Sequence, residues 1–345
     1  MTDLKSLTRE ELTDYIISLG EKKFRASQLY EWMHVHLAGS LDDMTNLPAT
    51  LKERLKQECI YTVADMAERH ISKEDGTQKF LFSMADGQMI ESVFMPYKHG
   101  NSVCISSQAG CRMGCAFCAS TIGGLVRNLT AAEMLEQIYA ITRITGERVS
   151  NVVVMGTGEP LDNYDNLVRF IRLLTDEKGQ NLSQRSITVS TCGLAEKIGR
   201  LAEEHFQITL ALSLHAVTDE KRRQIMPVAR SYSIAQLMEA CRGYFETTGR
   251  RITFEYSLIA GVNDTDADVE GLSSLARSVG AHVNLIPVNP VTETSFVPPD
   301  RRQADVFKNK LEKNHINVTI RRSMGRDIDG ACGQLRRKSL GLEKE

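Results

Sequence analysis

The stretch Val152-Val153-Val154-Met155-Gly156-Thr157-Gly158-Glu159-Pro160 carries the reading of the fold. Four apolar residues read as a strand, and a Gly-x-Gly-Glu-Pro segment punctuates its end. The pattern recurs downstream. Ile187–Ser190 runs into Ser190-Thr191-Cys192-Gly193, Ile208–Leu214 closes on Ser213-Leu214-His215, and His282–Val288 closes on Pro287-Val288-Asn289-Pro290. Further strands are expected at Ile252–Leu258 and Val318–Arg321. Helical stretches fall between them at 131–145, 164–175, 194–204, 234–247, 267–278 and 301–313, the first opened by a Thr130/Glu133 capping box. A β-then-α alternation means parallel strands. Unusual residues at the C-terminal ends of many strands read as a site spread along a barrel rim. A doubly wound sheet would concentrate them at one switch point. The expected fold is α/β, an incomplete TIM-like barrel of about six or seven strands.

Upstream of residue 103 the character differs. Leu12, Ile16, Ile17 and Leu19 are spaced for one helix that Gly20 ends, Phe24 to His36 is a second with Leu29, Trp32 and Met33 on its apolar face, and Leu51 to Cys59 is a third. Lys79–Ser83, Met89–Met95 and Ser102–Ser107 read as strands, with Asp75-Gly76 and Asp86-Gly87 as turns. The organisation expected is a helical accessory domain over 1–59, a β-hairpin region over 60–102 and a catalytic core over 103–345.

Composition narrows the class. Across 345 residues, 42 Lys+Arg face 44 Asp+Glu, a net charge of -2, which excludes a polybasic tail but not a local nucleic-acid patch. Hydrophobic residues at 42% and charged residues at 25% are ordinary globular values. No apolar run approaches the ~20 residues of a membrane span, and Met1 to Ser6 carries Asp3 and Lys5 rather than a signal sequence. Eight cysteines are too sparse for a secreted disulfide scaffold, so a cytoplasmic location is expected, and cysteines at regular spacing there suggest a metal or catalysis.

Three cysteines stand in such a spacing, Cys111-Arg-Met-Gly-Cys115-Ala-Phe-Cys118, on a loop just after a strand. A structural zinc site needs four ligands, and ordinary [4Fe–4S] clusters take four cysteines. Three thiolates on a [4Fe–4S] cluster leave one iron open for a substrate. Gly110 and Gly114 permit a tight loop, and Phe117 is placed to shield it. From the residues alone, a zinc site or three unrelated thiols remain open.

The Cys-x3-Cys-x2-Cys spacing resembles the radical S-adenosylmethionine (SAM) superfamily. The resemblance implies a partial (β/α)6 barrel, a [4Fe–4S] cluster held by Cys111, Cys115 and Cys118, and SAM on the open iron. By the same likeness Gly158 and Glu159 hold the SAM amino group, while Ser190, Ser213, Leu214, His215 and Asn289 hold its ribose, carboxylate and adenine. A narrower likeness rests on Phe24-Arg-Ala-Ser-Gln-Leu-Tyr-Glu-Trp, Ile90-Glu91-Ser92-Val93, Ser106-Ser107-Gln108-Ala109-Gly110-Cys111, Gly158-Glu159-Pro160-Leu161, Ser213-Leu214-His215-Ala216 and Asp327-Ile328-Asp329-Gly330-Ala331-Cys332-Gly333-Gln334-Leu335. These segments span nearly the whole chain and resemble the RlmN/Cfr family of RNA adenosine methyltransferases. Pro160 after Gly-Glu resembles the RlmN branch, which acts on adenine carbon 2 in 23S rRNA and in tRNA beside the anticodon. The Cfr branch acts on carbon 8 of the same rRNA adenosine. Thr157 and Cys192 depart from the family, where Met and Ser are usual.

The resemblance also implies roles. Adenine carbons 2 and 8 are electron-poor, so direct attack on a SAM methyl group should fail; by the resemblance the route runs through a protein thiol. Cys332 carries the methyl group, two SAM are consumed per turnover, Glu91 is the general base, and Cys104 forms a disulfide with Cys332 that releases RNA from a covalent adduct. A low-potential donor such as flavodoxin supplies electrons, and a monomer is expected. Arg321, Arg322, Arg326, Arg336, Arg337 and Lys338 around Cys332, and Lys22, Lys23 and Arg25 near the N-terminus, are candidate phosphate contacts. Cys59 and Cys241, in helical stretches, read as buried structural residues. Two other classes fit parts of the pattern: a radical SAM activase that makes a glycyl radical, which has no use for Cys104 or Cys332, and a non-enzymatic zinc or iron–sulfur RNA-binding module.

Overall fold

The computed structural model describes residues 1–288, 296–321, 324–328, 335 and 341. The chain opens with a two-residue strand β1 (Thr2–Asp3) and three helices, α1 (Arg9–Ser18), α2 (Phe24–His34) and α3 (Ala49–Glu58), closed by β2 (Cys59–Ile60), which pairs parallel with β1. Thr8 and Glu11 form a capping box at α1. Leu12 and Ile16 of α1 and Leu29 and Met33 of α2 are buried as the spacing predicts, but Ile17 is exposed. Trp32 is only half-buried; its Nε1–H donates to Asn46 Oδ1, so a polar partner draws the indole away from the core face.

Four antiparallel-connected strands follow: β3 (Asp65–Ile71), β4 (Gln78–Ser83), β5 (Met89–Met95) and β6 (Asn101–Ile105). A small hairpin, β7 (Gln108–Gly110) and β8 (Leu125–Asn128), brackets the three cysteines. Then come α4 (Ala131–Thr145), β9 (Val149–Val154), α5 (Tyr164–Thr175), β10 (Ile187–Thr191), α6 (Ala195–Glu203), β11 (Thr209–Ser213), α7 (Asp219–Ile225), α8 (Ile234–Thr248), β12 (Thr253–Leu258), α9 (Asp266–Val279), β13 (His282–Pro287), α10 (Arg301–Lys313) and β14 (Val318–Ile320). The capping box at Thr130 and Glu133 opens α4, and Gly146 ends it in the left-handed region at φ 71°.

Among the described residues one sheet has the order β14-β13-β12-β11-β10-β9-β6-β5-β4-β3. From β6 to β14 the strands are parallel and follow chain order without reversal. That monotonic order is barrel winding; a doubly wound sheet reverses at its switch point. The three strands β3 to β5 continue the same sheet antiparallel, so the hairpin region extends the barrel wall. Strand β3 escaped the sequence pattern: nearly all of it is exposed, it is rich in charge, and a bulge lies between Met66 and Glu68. Helix α7 escaped it too, since Asp-Glu-Lys-Arg-Arg-Gln-Ile shows no apolar period.

One continuous hydrophobic core runs from Leu12 and Leu29 through α4 and α5 into β9 to β13. Buried ion pairs join the first residues to the barrel. Lys5 is fully buried; its Nζ lies 2.8 Å from Glu136 Oε2 of α4 and donates to the Thr62 carbonyl, while Arg143 closes on the other Glu136 oxygen. Leaving any one of these charges unpaired in the interior would be costly.

Candidate active site

Register decides which side chains share the inner face of the sheet. Paired residues on neighbouring strands face the same way, as do residues two apart on one strand. Glu91 and Val93 of β5 are two apart, Val93 pairs with Cys104, Cys104 with Val153, and Val153 with Thr188. Ser190 is two beyond Thr188 and pairs with Ala211, two before Ser213; Ser213 pairs with Glu255, and Glu255 with Asn284. The face therefore runs Glu91, Cys104, Ser190, Ser213, Glu255, Asn284. The hydroxyls of Ser190 and Ser213 lie 3.3 Å apart.

At the β5 end, Glu91 is buried at 3% exposure, and Lys79 Nζ, fully buried, lies 3.3 Å from Glu91 Oε2. Lys79 pairs with Val93 across the sheet and was not singled out from sequence. Cys104 is buried in a small apolar group with Val93 and Met95, against which Val153, Met155 and Met324 pack. Met324 begins the C-terminal segment. Beyond it Gly325 N–H donates to Asp75 Oδ2, Ser72 Oγ–H donates to Asp327 Oδ1 at 2.6 Å, and Lys73 N–H donates to Asp327 Oδ2. The approach to Cys332 is thus tied to the β3–β4 turn. Cys332, Asn289, Arg322, Arg336, Arg337 and Lys338 lie outside the described residues.

The loop after β9 forms the rim. Glu159 is buried; its Oε2 accepts from Cys192 N–H at 2.7 Å and its Oε1 from Leu161 N–H at 3.0 Å. Burial pushes its carboxyl pKa up, and those donors pull the other way. Gly158 has φ +109°, and a Cβ there would stand 2.6 Å from Gln108 Cβ, so only glycine fits. Gln108 ties the loop down: its Oε1 accepts from Glu159 N–H while its Nε2 donates to Asn128 and Asp162. Ser106 and Gln137 complete the frame. Thr157 N–H donates to Ser106 Oγ, which donates to the Glu91 carbonyl at 2.8 Å. Gln137 of α4 accepts from Ser92 Oγ and Ser106 N–H. This buried network joins the strand of Glu91 to the loop of Glu159. The variant Thr157 hydroxyl meets Ser120 Oγ at 3.3 Å, beside the cysteine loop.

Leu214 lies in the core with its carbonyl bound by Arg222 Nε, and His215 follows in a strained backbone at φ +56°. Its Nδ1 accepts from Ser257 N–H at 2.8 Å, its carbonyl accepts from Asn263 Nδ2, and its ring meets Phe117 edge-on at 4.8 Å. Burial, reinforced by Arg222, drops its pKa to about 3, so the ring is neutral near pH 7.

The cysteine loop is held by its own turns. Cys111 N–H donates to Gly124 O, Cys118 N–H to Cys115 O, and Ala116 N–H to Ile225 O at the end of α7. Gly110 sits at φ +80°, with the Gly124 carbonyl where a Cβ would be. Cys111 and Cys115 are buried; desolvation first, then mutual repulsion with Cys118 and Glu159, drives both thiol pKa values up, Cys111 to about 12. Holding these buried groups as thiolates would require a positive centre beside them. Among the described residues no three His, Cys, Asp or Glu side chains converge as on a single ion.

On the N-terminal surface Lys22 and Lys23 are exposed, while Arg25 donates to Gln28 and Asn46 and stacks on the half-exposed Phe24. No helix among the described residues is long and apolar enough to cross a membrane. Cys241 is buried in the core of α8 and Cys59 begins β2, within 2.9 Å of Tyr15 OH.

Comparison with known proteins agrees with this geometry. Residues 2–60 match the ribosomal RNA large subunit methyltransferase N-terminal domain, and residues 105–272 match the radical SAM superfamily. The "Probable dual-specificity RNA methyltransferase RlmN" of Lachnospira eligens is 59% identical over 99% of this chain and 97% of that protein. Its namesake in Clostridium novyi is 48% identical over 99% of each. The crystal structure of a radical SAM methyltransferase from Sphaerobacter thermophilus superposes with a TM-score of 0.93 at 44% identity, covering 97% of this chain and 99% of that one.

Proposed function

The chain belongs to the RlmN family of radical SAM RNA methyltransferases, and from that premise we propose that it methylates carbon 2 of an adenosine in the peptidyl-transferase centre of 23S rRNA and of an adenosine beside the anticodon in tRNA. When bound, a [4Fe–4S] cluster and SAM supply a 5′-deoxyadenosyl radical that takes hydrogen from a methyl group on the protein. The chain does the rest. Cys111, Cys115 and Cys118 would hold the cluster. Glu159 pairs with the SAM ammonium, with Gly158, Ser190, Ser213, Leu214, His215 and Asn289 around the remainder of SAM. Cys332 accepts a methyl group from one SAM and presents it to the adenine, a second SAM being spent on the radical. Glu91 takes the ring proton, its carboxylate held by Lys79. Once the adduct has given up one electron and the ring proton, the Cys104 thiolate attacks the Cys332 sulfur; the sulfur–methylene bond breaks with its electron pair going to the carbon, which takes a proton to become the methyl group, and the Cys104–Cys332 disulfide left behind is reduced by cellular thiols. A low-potential donor such as flavodoxin would supply the electrons in the cytoplasm, and a monomer is the expected form.

The observation that carries this reading is the shared inner face of Glu91, Cys104, Ser190 and Ser213, with Met324 packed on the Cys104 group. Cys332 follows the anchored Ile328 by four residues, a reach of about 14 Å at most. The test is a denaturing gel after anaerobic incubation with SAM, reductant and RNA. Cys104→Ala should accumulate a covalent protein–RNA species, and Cys332→Ala should form none. Normal turnover by Cys104→Ala, or an adduct in Cys332→Ala, sinks the assignment. Chromatography of the digested RNA against 2-methyl- and 8-methyladenosine standards decides the ring position.

A further inference from the structure

Among the described residues Arg222 of α7 is one of the largest fully buried side chains, and the mechanism above does not use it. Its Nε donates to the Leu214 carbonyl at 3.1 Å, and its Nη2 to the carbonyls of Cys192 at 2.6 Å and Ser213 at 3.3 Å. Its Nη1 is buried with no hydrogen-bond partner. Among the described residues it makes no ion pair; Asp219, one turn away, spends Oδ1 on the Ile234 N–H. A guanidinium buried without a carboxylate is expensive and calls for an anion. The Cys192 carbonyl that takes its Nη2 belongs to a residue packed against Cys115 of the cysteine loop. The backbone brings them together: Ala116 N–H donates to Ile225 O, and Ile225 and Met226 pack with Cys115 and Cys192 in one apolar cluster.

We propose that Arg222 is a fixed positive charge that offsets the thiolates of the cysteine loop and raises the reduction potential of the cluster they hold. The inference rests on the cluster assignment above. Reduction adds negative charge, so a desolvated cation beside the site favours the reduced form, and little water is present to screen it. Arg222 touches neither SAM nor RNA in this account; it is a tuning residue that acts through the loop.

The test compares anaerobically reconstituted full-length wild type, Arg222→Lys and Arg222→Gln, without SAM or RNA. Iron and sulfide content is measured first, then the midpoint potential by spectroscopic redox titration. Arg222→Gln should shift to more negative potential, and Arg222→Lys, which keeps the charge, should stay nearer wild type. Asp219→Asn, with Arg222 intact and an amide oxygen still able to cap Ile234, should shift the other way; this arm decides the matter if Arg222→Gln fails to load. One common potential overturns the proposal. Equal shifts in Lys and Gln variants overturn it in favour of a backbone staple, and a shift seen only after SAM is added overturns it in favour of the SAM carboxylate. A wild-type protein that binds no iron overturns the cluster reading itself and this role with it.

Discussion

The rim of parallel strands and the antiparallel end of the same sheet solve one problem in opposite ways. Both bury charged or ionisable groups. On the rim, Glu159 is satisfied by backbone donors two and thirty-three residues away, and the cysteines sit within eight residues of one another. At the antiparallel end, Glu91 is satisfied by a side chain, Lys79, that only strand register brings near. Backbone partners tolerate changes in neighbouring side chains. A side-chain ion pair does not, because removing one member strands the other in a low-dielectric interior.

The sharpest break in this comparison lies on the rim. Cys111→Ala, Cys115→Ala or Cys118→Ala should each abolish the iron–sulfur absorbance and all SAM cleavage, because no fourth thiol stands by on the loop. Full iron content in any one of them, by metal analysis, counts against a shared cluster. The variants should still fold, since the loop is held by backbone hydrogen bonds to Gly124 and Ile225.

The antiparallel end should fail differently. Lys79→Met should cost about 3–5 kcal/mol by removing the cation paired with the buried Glu91, read by chemical denaturation. Lys79→Met combined with Glu91→Gln should recover a substantial part of that stability while remaining inactive. If the double variant is as unstable as the single, the pair is not what burial of Glu91 depends on.

Acid separates the regions further. His215 on the rim and His34 beneath α4 both have folded pKa values of about 3, set mainly by burial, against 6.5 for a free imidazole. Each therefore adds stability that is complete above about pH 6.5 and is lost as pH falls toward 3. The loss is about 1.4 kcal/mol per pH unit for each histidine. His215→Asn should flatten the stability–pH slope between pH 6 and 4 by one such increment. An unchanged slope means that the ring takes up a proton in place.

The smallest effect expected is in the common core. Cys241→Ala should cost about 1 kcal/mol for lost packing, with cluster loading and RNA methylation intact. Loss of activity at unchanged stability would give that thiol a role that its burial does not suggest.

What was legible in the sequence divides along the same line. The parallel strands and most core helices follow from apolar runs, caps and chain-local punctuation, and the cysteine triplet is written in eight consecutive residues. Glu159 was visible as a charge in a glycine turn. Lys79, Arg222 and the Ser106–Gln137 frame were not, because each matters through a partner distant in the chain. Lys79 reads as the polar first residue of an ordinary strand until β4 and β5 are laid side by side. Arg222 lies in a short helix whose charges read as a solvated face, yet it turns inward to three carbonyls. Glu255 could have been noticed as a lone carboxylate in Thr-Phe-Glu-Tyr-Ser-Leu; it accepts from Asn284 Nδ2 at 2.9 Å, beside Ser213.

The outermost strand has a consequence for behaviour in a crowded cell. An open sheet offers backbone donors and acceptors at its margin, where a stray extended segment can add and start aggregation. Strand β3 presents Glu68, Arg69 and His70 there, with its ladder interrupted between Met66 and Glu68. Such a border is a poor template for a further strand. The wall can stay open without inviting another polypeptide to close it.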